Sequence, residues 1–502
     1  MKFEQQLQSV AVTGAVVDER IQRCFNECIK SHHSTCPSNL NPILPRRVVD
    51  VESDKGPEKL SLHLTNSGER AKYVALSYCW GDPPHPFVTT RNTLENPTKI
   101  DWGQTPATIR DAVLVTRSLG IRYLWVDALC IIQGDEIDKT EEIREMGMIY
   151  KNATLTISAA SSPNVNSGFL KDRPVTNFPM PIVSPDGDYG TLWIRGPNLT
   201  PHDEPLDKRG WTLQEAMLSP RMLYYSSKDL IWKCQKTTFK PVVPDHDLYS
   251  VLPGMVPILP STVFNIPSQK KIDISDFWAM IQTSYSNRHL QLFEDRFRAI
   301  GGIAEELQRV SNDIYIAGLW KNSIVKDLAW ARTKGDWKNG GGLLPYQSPS
   351  WSWLAYFRPV HTQYIDRDTV DDMRPELISW SVNFADKASP FGHILGGELE
   401  MMATLVESTK VPHDIVTNMK LILDCDVSDT TATLASNFVS DDYYYFYLGQ
   451  QGEEEIWWEA ILLQSVGNGS FVRRGLVSML DKGTSLSIWL SKDSLRMRVR
   501  IV

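Results

Sequence analysis

Apolar and polar positions change rhythm several times along this chain. Tyr73–Cys79 (YVALSYC) is a run of apolar, strand-forming residues that stops at the turn cluster Trp80-Gly81-Asp82-Pro83-Pro84. Thr105-Pro106 then reads as a helix start, with a capping hydroxyl and a proline at the first helical position. Behind it Ile109, Ala112, Val113, Thr116 and Leu119 recur at helical spacing, and Gly120 closes the element. Ile121–Val126 (IRYLWV) is nearly continuous in apolar residues, as a strand covered on both faces would be. After a polar loop with Gly134, Asp138 and Glu141 form a D-x-x-E start to a helix whose Ile143, Met146 and Tyr150 share one stripe. Ala153–Ser158 (ATLTIS) is a third strand. Strands alternating with helices at short intervals predict that the runs at 73–78, 121–126 and 153–158 lie parallel and adjacent in one sheet.

The rhythm is looser elsewhere. Residues 1–60 read as a lead-in with one helix near Asp18–Lys30. Residues 161–206 are rich in Pro, Asn, Asp and Gly, an excursion with a small strand at Thr191–Arg195. A helix at Arg209–Leu218 and strands at Met222–Ser226 and Leu230–Cys234 complete an α/β domain spanning 61–235, its core motifs between 73 and 216. Prolines from Pro241 to Pro267 forbid a helix and mark a linker at 236–270. A helical segment follows at 271–332, then a β-rich region at 333–502. The fold class is therefore α/β, a parallel sheet with helices on both faces, followed by helical and β-rich parts.

Composition narrows the function. The 502 residues are 42% hydrophobic and 22% charged, an ordinary globular balance. Net charge is −8, with no basic block to make a one-signed face, so nucleic acid is not an expected partner. No apolar run approaches the roughly 18 residues of a membrane span, and the start lacks a secretory pattern, so a cytoplasmic, non-membrane protein is expected. The seven cysteines read as reduced, small buried hydrophobes. Cys28, His32, His33 and Cys36 could form part of a zinc site with Cys24 as a fourth ligand, but C-x3-C-x3-H-x3-C is no standard finger and no metal is expected.

Three stretches carry a resemblance. YVALSYCWGD (Tyr73–Asp82), LGIRYLWVDALCIIQGDEIDKTEEIREMGMIYKNATLTISAA (Leu119–Ala160) and RGWTLQEAMLSPRMLYYS (Arg209–Ser226) resemble, in order, the fungal heterokaryon incompatibility (HET) family. More remotely, the strand Tyr73–Tyr78 followed by Gly81 and Asp82, the course Gly120–Ser158 with Asp127 and Gly134, and Trp211 with Glu215 four residues later resemble TIR domains. The chain departs from that pattern at Thr212, where cysteine is usual, at Ala216, and in the length of 161–206. The resemblance to HET proteins implies non-self recognition and programmed cell death when unlike cells fuse, with self-association or another incompatibility protein as partner.

The TIR likeness implies a chemistry. It makes Glu215 a candidate catalytic carboxylate in cleavage of the nicotinamide–ribose bond of NAD, which would be a substrate and not a resident cofactor. Nicotinamide leaves as a neutral ring, and a carboxylate stabilises the positive charge that builds on the ribose. The turn Cys79, Trp80, Gly81 and Asp82 follows a strand's C-terminal end, where open α/β sheets bind ligands. Trp80 and Trp211 would line the nicotinamide pocket, and Asp127 would bind ribose or cap the turn that follows it. Cys79 and Cys130 lack a positioned histidine and are not expected nucleophiles. The alternative is a non-catalytic scaffold that self-assembles through its HET domain, with the loop Ala128–Asp138 as its contact surface.

Overall fold

In the computed structural model the described residues are 9–10, 15–38, 41–51, 59–95, 100–174, 177–183, 187, 189–195, 204–237, 240–241, 259, 261–264, 274–333, 348–356, 360–362, 374–411, 413–416, 419–424, 438–451, 457–480 and 495–502. Cys425 and most of the proline-rich stretch lie outside them. The chain divides into two compact units, Met1–Lys270 and Lys271–Val502. No helix among the described residues is long and apolar enough to cross a membrane.

The first unit is built on a mixed nine-stranded sheet with helices. Its centre is three parallel strands, β3 (Tyr73–Ser77), β4 (Tyr123–Trp125) and β5 (Leu155–Ser158), every residue of which is buried. β3 pairs in parallel with β4 on one side and with β5 on the other, as the alternation of elements predicts. β6 (Arg221–Tyr225) continues the parallel run beside β5, and β7 (Leu230–Cys234) returns antiparallel to it. The opposite side holds β1 (Arg47–Asp50), antiparallel to β4, and β2 (Lys59–Leu64), antiparallel to β1. The sheet is thus parallel only in its middle. The lead-in, in which the sequence shows only a helix, supplies β1: four residues are too few to display a period. All four are nonetheless buried.

Three helices make the crossovers and a fourth precedes the sheet. α1 (Ala15–Ser31) is the lead-in helix. α2 (Ala107–Ser118) joins β3 to β4, α3 (Glu136–Asn152) joins β4 to β5, and α4 (Trp211–Leu218) precedes β6. The connection β3–α2–β4 runs one way across the sheet and β4–α3–β5 runs back past β3. Right-handed crossovers then place α2 on one face and α3 on the other, and α3 packs with α4. Two helix starts differ from their sequence reading. Thr105 does not cap α2; its hydroxyl donates to the Asp101 carbonyl at 2.8 Å, while Pro106 occupies the cap. α3 starts before Asp138, because Asp135 accepts from the amides of Ile137 and Asp138. Asp138 is spent elsewhere, receiving Arg47 at 2.7 Å on both oxygens.

The second unit begins with α5 (Ile274–Ser286) and α6 (Asp295–Ser311), the latter ended by Asn312 in the left-handed region at φ 58°. It continues in β8 (Glu376–Phe384), β9 (Ile394–Glu407), β10 (Met419–Leu423), β11 (Tyr443–Gln451), β12 (Trp457–Gly467), β13 (Ser470–Leu480) and β14 (Leu495–Ile501). This is the expected β-rich region. The pairings β9–β11–β12–β13–β14 return to β9, so five strands close on themselves while β8 and β10 attach outside the circuit.

Candidate functional site

Because the chain leaves β3 towards β4 and later returns to β5 on its other side, the C-terminal end of β3 is a topological switch point. Such points open a crevice, since the two following connections diverge from it. Ser77, Tyr78, Cys79 and Trp80 leave the sheet there.

Two carboxylates converge on this end. Glu215, in the second turn of α4, is 5% exposed and accepts a hydrogen bond from the Ser77 hydroxyl, 138 residues away in sequence. The Tyr150 hydroxyl donates to the Leu76 carbonyl at 3.0 Å and also reaches Glu215. Burial raises the Glu215 carboxyl to about 7, against the pull of Arg209 and the Ser77 bond. Asp127, following β4, accepts from the Trp80 indole at 2.7 Å and from the Ala128 amide at 2.7 Å. Burial raises it too, opposed first by the Trp80 bond and then by Arg209. The Arg209 guanidinium donates to the Tyr78 carbonyl, which holds a cation near enough to act on both acids. The buried Tyr78 phenol is held well above its usual range by burial and then by Asp127.

A pocket of about 360 Å³ opens beside this cluster. One wall is the turn Trp80–Asp82 with the following Pro84–Val88, and the other is Asn164–Asn166. The walls are tied together, since the Val165 amide donates to the Trp80 carbonyl at 3.3 Å. The His85 ring meets Trp80 edge to face at 5.0 Å. Gly81 has φ 90°, and a Cβ there would lie 2.5 Å from Asn164 Cβ, so both backbone angle and space demand glycine.

The candidate residues are distributed unevenly around this pocket. Trp80, Gly81 and Asp82 line it, and Asp127 holds the Trp80 indole. Glu215 is buried in the adjoining cluster and does not line it, while Tyr78 belongs to both. Cys79 packs in a small apolar cluster with Ala160, Leu206, Met222 and Tyr224, and burial raises its thiol. Trp211 is half-buried at the start of α4 and is not a lining residue. Cys130 is fully buried, its thiol pushed up to about 12 by burial. Both cysteines are therefore poor nucleophiles at neutral pH.

Sequence reasoning passes over Ser77, Tyr78, Tyr150, Arg209 and the Asn164–Asn166 wall. Four of these sit inside the quoted motifs, but as strand, stripe or turn residues with nothing local to mark them as polar partners. The loop Ala128–Asp138, the expected contact surface, is mostly inside the unit. Ala128–Ile132, Asp135 and Asp138 are buried, and Ile137, 71% exposed, is its only large apolar side chain facing solvent.

Chemically, this is an aromatic-walled pocket next to two acids, one of which changes charge near neutrality. No curated protein and no solved structure matches the chain. Residues 73–215, the stretch that carries every group of the carboxylate cluster, match the family model described as Heterokaryon incompatibility protein (HET), so this part of the chain is identified as a HET domain.

Proposed function

We propose that the HET domain is the effector of non-self-triggered programmed cell death and acts by hydrolysing NAD at the nicotinamide–ribose bond. The observation that carries this reading is the meeting of Glu215 and Asp127 at the switch point beside the Trp80 pocket, produced by segments far apart in sequence. The TIR-like order of the motifs supports it as well. In this reading Trp80 stacks on the nicotinamide ring and Tyr78, shared by pocket and cluster, moves to admit the ribose. The C–N bond breaks with its electron pair on nicotinamide, which leaves neutral. The ribosyl cation is stabilised by ionised Glu215, and water adds to it with loss of a proton. A bound cation favours the ionised form of Glu215, so a carboxyl titrating near 7 is suited to charging as substrate arrives.

The test is nicotinamide release from NAD by the purified full chain. Glu215→Gln keeps the size and removes the charge, and should lower the rate by about 10² to 10³ while the chain stays folded. Glu215→Asp should lose part of the rate, because the charge is withdrawn by a methylene. A folded Glu215→Gln protein with undiminished cleavage, or a wild-type chain that releases no nicotinamide, overturns the reading.

A further inference from the structure

Away from the pocket along the sheet, α1 meets the antiparallel strand β7, and four metal-ligand side chains come together there. The Sγ atoms of Cys28, Cys36 and Cys234 and a ring nitrogen of His32 all lie within 4.8 Å of one another. We propose that they hold a single structural zinc ion that fastens the lead-in helix to the sheet.

Local backbone explains why three of the four converge. Cys28 lies in the last turn of α1, and the His32 amide bonds to the Cys28 carbonyl at 3.1 Å. The Cys36 amide bonds to the His32 carbonyl at 2.7 Å, so the helical i, i+4 relation carries past the helix end. Cys28, His32 and Cys36 therefore point to one side. The fourth ligand arrives from β7, whose last residue is Cys234. Cys24, one turn earlier, is buried outside the cluster, and His33 is exposed.

Three sulfurs and one imidazole are a closed structural zinc set, and soft thiolates disfavour calcium and magnesium. Tetrahedral bonds of about 2.3 Å to sulfur and about 2.0 Å to nitrogen place neighbouring S and N roughly 3.5 Å apart. Cys234 Sγ and His32 Nδ1 stand at 3.4 Å.

A second observation is independent of the spacing. Arg221 is 1% exposed, and its described partners are the Cys28 sulfur at 3.3 Å, the carbonyls of Thr154 and Pro37 and the Phe25 ring, none of them a carboxylate. A buried guanidinium facing only neutral groups is an uncompensated charge. Zinc with three thiolates carries a net negative charge and supplies the missing counter-ion. The Thr237 amide donates to Cys234 Sγ at 3.4 Å, as backbone amides around zinc thiolates do.

The experiment is elemental analysis of the untagged full chain, purified without chelators. One zinc per chain is expected, lost in Cys28→Ser and in Cys234→Ser and kept in Cys24→Ser. To separate loss of zinc from unfolding of the serine variants, the wild-type chain is also exchanged with cobalt. Intense visible bands of tetrahedral cobalt with near-ultraviolet thiolate charge transfer are expected. Removing the metal should lower the thermal midpoint, with zinc but not magnesium restoring it. A folded wild-type chain without stoichiometric zinc, a disulfide among the three cysteines by intact mass, or an octahedral cobalt spectrum each overturns the proposal.

Discussion

Each unit buries an acid beside an arginine, and the two sites are finished differently. In the second unit, Asp424 and Arg473 are both wholly buried and joined at 2.8 Å. The remaining guanidinium nitrogens donate to the carbonyls of Leu328 and Trp330 at 2.6 and 2.5 Å, and the group stacks 3.6 Å from the Trp330 ring. Burial lifts Asp424, but its contacts with Arg473 pull it back. In the first unit Arg209 donates to the Tyr78 carbonyl, and burial of Glu215 outweighs the pull of the Arg209 charge and of the Ser77 and Tyr150 hydroxyls. That acid is left near neutrality. A closely paired acid fixes packing; an acid whose burial outweighs its favourable contacts keeps a charge state that a ligand can change.

The comparison can be broken at either end. The largest stability effect is expected from Arg473→Met, which leaves Asp424 buried and unpaired. Loss of about 3–5 kcal/mol is expected, read from the denaturant midpoint. Asp424→Leu in the same chain should recover much of it, since two apolar groups need no pairing. If Arg473→Met alone is neutral, the pair is not what holds that region.

Glu215→Gln should have the opposite sign. The carboxyl titrates near 7 when folded and at about 4.3 when unfolded. Between those values the folded chain binds the extra proton, so this group's contribution to stability falls as pH rises and is level above 7. Glutamine does not titrate. The variant should therefore gain on the wild type across that window, by up to roughly 3 kcal/mol. Urea midpoints at pH 5 and pH 8 measure the gap, and a gap that stays constant would mean Glu215 is ionised throughout. The smallest effect is expected at Ile137, where Asp should alter stability by less than about 0.5 kcal/mol and leave NAD cleavage intact. Abolished cell death with intact cleavage in Ile137→Asp would instead favour assembly through that loop.

What the sequence displays is what local rules govern. The three parallel strands are legible because burial on both faces leaves continuous apolar runs, and Gly120 and Gly134 mark turns that need positive φ, 66° and 80° here. Trp80, Gly81 and Asp82 are legible as a loop at a strand's end. Arg209, Tyr150 and Ser77 are not, because their meaning comes from Glu215, which only the crossovers bring near. The same holds for Cys234. C-x3-H-x3-C is three of four ligands, and the fourth lies about 200 residues away, where nothing nearby advertises it. Asp138 misleads for a related reason. It looks like a helix cap, but the more distant Arg47 claims it.

The closed circuit of strands in the second unit has a consequence for its synthesis. β9 completes its pairing only with β14, Leu399 lying opposite Ile501, about 100 residues later. At about 5–20 residues per second, a ribosome takes roughly 5 to 20 s to supply that partner. For those seconds β9 has β8, and later part of β11, to lean on, with one long edge open to any other nascent strand. The ring is secure once made, but the interval before it closes is when this half of the chain depends most on chaperones.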